Sequence, residues 1–272
     1  MTNEAATSPA QEAKSCCAAV YASDWARMLL GDSYHPGGLA LTERLGTLLD
    51  LAPGTHVLDV AAGPGASAIR LALRFGCRVT GVDLSEANVA AAREAAVQAG
   101  VAALTHFVAG DAERLPFPDA SFDVVFCECA FCTFPDKPTA AAEFARVLRP
   151  GGRVGLSDIT RKGLLPAELD GLLAWIACIA DAQPLSAYEA HLRNAGFRVD
   201  RAELHDEALR AMVQQIRSKL IGVELLVGLR KLDLPAVDLG RARAMARSAA
   251  EAVQVGSLGY ALLIGTRTAA VR

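Results

Sequence analysis

The chain is poor in aromatic residues and carries no excess of charge of one sign. Only 2 Trp and 4 Tyr accompany 9 Phe among 272 residues, and the formal net charge is −3. Binding to nucleic acid usually demands a basic face, and the sequence shows no Lys/Arg cluster with interleaved aromatics. No apolar run reaches the roughly 18 uncharged residues that a membrane-spanning helix needs. Residues 1–15 lack the apolar core of a secretion signal and read as a polar arm. Together these absences predict a cytoplasmic protein with no nucleic-acid or membrane partner, acting on a small acceptor. The length fits one α/β domain with additions.

What the chain does have is a glycine turn in a telling place. Val57-Leu58-Asp59-Val60 is a short apolar strand pattern, and Ala61-Ala62-Gly63-Pro64-Gly65 leads from it directly into a helical pattern over residues 66–74. Gly63 and Gly65 permit backbone angles and close approach that a Cβ would forbid, so a ligand can lie against the loop and the helix N-terminus. About twenty positions on, Gly81-Val82-Asp83-Leu84-Ser85 ends the next strand pattern with a carboxylate able to accept from both hydroxyls of a ribose. Gly110-Asp111-Ala112 follows a third strand pattern, where a carboxylate could meet an adenine amino group. A charge placed after an apolar strand needs a partner, which marks Asp59 as functional.

These three strand ends, with the run from Gly110 to Phe117, resemble the class I S-adenosylmethionine (SAM)-dependent methyltransferases over residues 55–199. The third glycine of a dinucleotide-binding loop is missing, which disfavours a dehydrogenase. The resemblance implies a Rossmann-like α/β fold with a seven-stranded sheet, an N-terminal helical lid and a helical insertion before the last strand. It further implies SAM as cofactor, held by Asp59, Ala61, Gly63, Gly65, Asp83, Leu84, Asp111, Ala112 and Cys127.

The rest of the chain fits that plan. Residues 1–20 form an arm, 21–54 a helical lid, 55–205 the cofactor-binding core, and 206–272 a helical insertion with the final strand. Helices are expected over 21–31, 39–51, 86–99, 137–148, 166–178, 186–195, 206–229 and 239–253, the sixth of them capped by Ser186. Strand patterns alternate with them through residue 158, which means a parallel sheet with helices on both faces. The segments at 197–204 and 259–265 are expected as an antiparallel edge pair. The loop residue His35 and the strand-end Asp158 remain open between structural and functional roles.

Seven cysteines are many for such a chain. Disulfides are not the default in a reducing compartment, so clustered thiols point to metal binding or catalysis. Cys127, Cys129 and Cys132 follow the fourth strand, Cys178 sits mid-chain, and Cys16 and Cys17 form an N-terminal pair. In this arrangement the sequence looks like the arsenite methyltransferases. The likeness implies that Cys129, Cys178, Cys16 and Cys17 hold trivalent arsenic as substrate, with a thiol reductant such as glutathione or thioredoxin as partner. Soft thiolates suit that element, and its lone pair would attack a methyl group without a general base. Core packing is the plainer expectation for Cys77, Cys127 and Cys132. Two rival readings stand beside the arsenic one. The first is a methyltransferase acting on carbon, oxygen or nitrogen of a small organic metabolite; the second is a non-catalytic thiol-based metalloid sensor. Oligomeric state is left open.

Overall fold

Parallel strands covered on both faces read as unbroken apolar runs, and the central segments of this chain fold accordingly. The computed structural model describes residues 14, 31, 33–169, 178–228 and 238–268. Strands β1 (His56–Val60), β2 (Arg78–Asp83), β3 (Thr105–Ala109), β4 (Phe122–Glu128), β5 (Leu148–Arg161), β6 (Phe197–Leu204) and β7 (Leu258–Arg267) form one sheet in the order β3-β2-β1-β4-β5-β7-β6. The first five run parallel, and β7 lies antiparallel between β5 and the edge strand β6. The expected seven-stranded Rossmann-like sheet is what forms. Its strand order reverses between β1 and β4, and ligands of such sheets gather in the crevice at that switch point.

The helices are set by their ends. α1 (Gly38–Leu48) precedes β1, and α2 (Ala66–Phe75) starts and stops at the left-handed glycines Gly65 and Gly76. α3 (Glu86–Gln98) is capped by Ser85, whose side chain accepts from the Asn88 amide, and α4 (Lys137–Val147) by Asp136 in the same way from Thr139. α5 (Leu185–Asn194) begins after Pro184, not at the expected cap Ser186; the ring that holds the Pro184 φ at −57° already suits a helix entry. α6 (Asp206–Gly228) and α7 (Leu239–Gln254) form the expected insertion between β6 and β7, packed on each other and on β7.

Of the expected N-terminal helical lid, residues 31 and 33–54 are described. Leu41, Leu45 and Leu49 drive α1 onto α2 and β5, with the Leu49 side chain against Gly155. The loop before it, through Ser33, Tyr34 and His35, and Lys14 upstream of that loop reach the crevice. The expected helix over 21–31 and the pair Cys16 and Cys17 lie outside the described residues, as do residues 170–177 of the expected helix over 166–178. Among the described residues no helix is long and apolar enough to cross a membrane.

Candidate active site

Parallel register places the acidic residues together. Asp59 on β1 pairs with Gly81 on β2, Asp83 on β2 pairs with Ala109 on β3, and Asp111 follows β3 by two residues. All three line one cleft at the carboxyl ends of the strands, with Ala61, Gly63, Leu84 and Ala112 between them. Asp83 is the best anchored. Its carboxylate accepts from the Gly63 amide at 2.8 Å, the Ser85 amide at 2.9 Å and the Asn88 side chain at 3.1 Å. Burial pushes its pKa upward, while those bonds pull the other way. The glycine loop is thereby tied to the next strand, and Ala61 takes a left-handed φ of 58° at its start.

Asp59 is nearly inaccessible, and among the described residues its Oδ2 has no hydrogen-bond partner. Burial, then the neighbouring Glu128 and Asp83 charges, push its pKa well above the ordinary carboxylate value. Such an atom on a cleft wall calls for a cationic ligand group. Asp111 is engaged differently. Lys14 bonds both its oxygens, at 2.9 and 3.0 Å, and reaches Glu113 at 2.5 Å. Burial opposes the Lys14 charge, but the bonds to Glu113 and Asp111 outweigh it and leave the ammonium pKa above its usual value.

Two of the expected cofactor residues, Cys127 and Gly65, are not among those that line the cleft. Cys127 lies inside β4 with no exposure, one residue short of the strand end where the cleft begins. Gly65 is needed for packing: a Cβ there would come 2.9 Å from the Ala92 side chain and 3.1 Å from Phe107, on a backbone with φ of 86°.

Glu128 is the site residue that the sequence did not disclose. It ends β4 and lines the cleft beside Asp59. Its Oε2 accepts from Ser67 Oγ at 2.7 Å and Thr42 Oγ1 at 2.8 Å, and it lies 3.2 Å from His35 Nε2. Its Oε1 meets only Ser157 Oγ, at 3.4 Å, among the described residues. Oxygen-bearing residues 61 to 86 positions away thus converge on one carboxylate. The only local signal was an acidic residue at the end of an apolar strand, masked by the cysteines around it.

The thiols do converge. Cys129 lines the cleft, and the Cys178 thiol donates to its carbonyl at 3.1 Å. The Cys178 side chain also hydrogen-bonds the thiols of Cys129 and Cys132. Cys129 and Cys178 both hold left-handed backbones, with φ of 49° and 61°. Cys132, expected as plain core, sends its amide to Asp158 Oδ2 at 2.8 Å and its thiol to the same carboxylate. The bond with Cys178, then burial, raises the Cys129 pKa well above the usual thiol value; burial, then the bond with Cys178, does the same for Cys132. These are neutral thiols. Among the described residues no group of three His, Cys, Asp or Glu side chains is arranged to hold a metal ion.

The cleft therefore offers a cation-seeking floor at Asp59 and Glu128, a fixed carboxylate at Asp83 for ribose hydroxyls, and Asp111 for an adenine amine. That donor and acceptor set fits SAM, which carries an ammonium, a ribose and an adenine. Comparison with known proteins points the same way. A family model described as a methyltransferase domain matches residues 58–156. The chain is 35% identical over 233 residues to a 27-O-demethylrifamycin SV methyltransferase of Amycolatopsis mediterranei (strain S699), covering 82% of this chain and 81% of that one. It is 32% identical over 232 residues to the O-methyltransferase cnsE of Penicillium expansum, covering 85% and 78%. Among solved structures, the geranyl diphosphate C-methyltransferase of Streptomyces coelicolor A3(2), bound to S-adenosyl-L-homocysteine, shares the fold with a TM-score of 0.77 at 16% identity, over 96% of this chain and 100% of that one. The chain belongs to the class I SAM-dependent methyltransferases.

Proposed function

We propose that this enzyme transfers a methyl group to a hydroxyl oxygen of a small organic metabolite. The observation that carries the reading is the likeness to the rifamycin-type O-methyltransferase over about four-fifths of both chains, with a second O-methyltransferase matched as widely. The electrostatics of the cleft agree. Bound SAM supplies an electrophilic methyl carbon. Asp83 and Asp111 would hold its adenosine part, and Asp59 with Glu128 its ammonium. Cys129, Thr133 and Phe134 close the same cleft from the segment after β4, with neutral thiols in place of a charged ligand set. Holding an acceptor oxygen in line supplies about 7–11 kcal/mol of the barrier in favourable cases.

One observation favours a second reading, methylation of trivalent arsenic with a thiol reductant as partner. Cys129 and Cys178 meet beside the cleft, and Cys132 joins them from the same loop as Cys129. Against it, Cys129, through its bond with Cys178 and burial, and Cys132, through burial and that bond, each hold a proton more tightly than an ordinary thiol.

Serine variants separate the two. We expect Cys129→Ser and Cys178→Ser to retain at least about half of the wild-type turnover of 27-O-demethylrifamycin SV or a related polyketide alcohol, since neutral thiol and hydroxyl are near isosteres. Wild-type enzyme that turns over arsenite with glutathione, and loses this in either variant, would establish the arsenic reading instead.

A further inference from the structure

Hydrogen-bond accounting around Glu128 gives His35 a role. The ring is buried, and its Nδ1 lies 3.2 Å from the Pro36 carbonyl. On the other side, Nε2 lies 3.2 Å from both Thr42 Oγ1 and Glu128 Oε2. The single Thr42 hydroxyl hydrogen is already directed at Glu128 Oε2, as is that of Ser67. Nε2 therefore faces two acceptors and stands within donating distance of Glu128 Oε2.

We propose that His35 is a positioning residue for the cofactor, acting through Glu128. The ring completes a set of three partners on Oε2, with Thr42 and Ser67, and fixes the carboxylate rotamer. Oε1 is then turned away from that set, with one long bond to Ser157, and stands with Asp59 Oδ2 as the pair of cleft acceptors left for an ammonium. His35 thus governs affinity for the amino-acid end of the cofactor and leaves the adenosine end untouched. The inference rests on SAM as cofactor and is independent of the acceptor.

The test compares two ligands in the full chain by titration calorimetry: S-adenosylhomocysteine, which has the amino-acid end, and 5′-methylthioadenosine, which has the adenosine without it. His35→Ala is expected to weaken S-adenosylhomocysteine at least about tenfold, the scale of one lost charge-assisted bond, and to change 5′-methylthioadenosine less than about twofold. His35→Gln, which keeps a donor toward Glu128, is expected to recover most of that loss. A merely structural role would weaken both ligands alike, and equal losses overturn the proposal, as does an unchanged S-adenosylhomocysteine affinity. Should His35→Ala fail to fold, His35→Phe, which keeps the ring volume without a donor, is titrated with the same two ligands: a loss confined to S-adenosylhomocysteine is expected, and equal losses or none overturn the proposal.

Discussion

Asp59 shows how far a single residue could be read from sequence. Its place in a short apolar strand just before a glycine turn marks it as functional, and the same logic reaches Asp83, whose spacing from the turn is a matter of chain length. Glu128, Thr42, Ser67 and His35 could not be found that way, because only the folded sheet brings them together. Asp59 also makes the sharpest residue-scale prediction. Its pKa is raised by burial and by like charges, and a bound ammonium beside it favours the charged form. Cofactor binding should therefore release a proton, and affinity should strengthen as pH rises through the range where Asp59 titrates. Calorimetry in two buffers of different ionisation enthalpy measures the release directly, and Asp59→Asn should abolish it while costing roughly tenfold or more in affinity. Asp158 gives a second, opposite linkage. Burial, then the Cys178 thiol, pushes its pKa to about 7 from 3.8. The folded chain then holds a proton that the unfolded chain has lost between about pH 4 and pH 7, so stability falls as pH rises across that window, by about 4 kcal/mol for a shift of this size. Denaturant midpoints of Asp158→Asn should lose this part of the slope and gain on the wild type toward pH 7.

Among the elements, strands β1 to β5 and helices α2 to α4 were legible because apolar runs, glycine stops and Ser or Asp caps all say the same thing locally. The elements that departed from expectation did so for tertiary reasons. α1 has the apolar spacing of any amphipathic helix, which does not say what it packs on; the small residues Gly46 and Gly155 opposite Leu71, Phe75 and Leu49 draw it against α2 and the sheet. Gly65 likewise looked like a ligand contact, since the glycine pattern is the same whether a cofactor or a neighbouring helix needs the space. Gly65→Ala distinguishes these. Its Cβ would clash with Ala92 in a left-handed backbone, so thermal unfolding should show a loss of about 1–3 kcal/mol. Cofactor affinity of the folded variant should stay within about threefold if the residue acts through packing. A large loss of affinity with unchanged stability would restore the contact role.

At the scale of the whole molecule, the sheet order and its switch point assemble a cofactor site from four strand ends, and that architecture was visible in the alternation of patterns alone. The acceptor was not. Thiols that look like a ligand set in sequence are, in the fold, neutral groups bonded to one another and to Asp158, a distinction that depends on burial and partner geometry. Sequence likeness to O-methyltransferases along most of the chain therefore weighs more than cysteine spacing. The central claim, methyl transfer to an organic hydroxyl from SAM held in this cleft, is tested most directly by one competition. The wild-type enzyme is given SAM labelled in its methyl group, together with polyketide alcohols, arsenite and glutathione, and the products are read by mass spectrometry. The label should appear as a methoxy group on an organic product. Label found on arsenic alone would contradict the account.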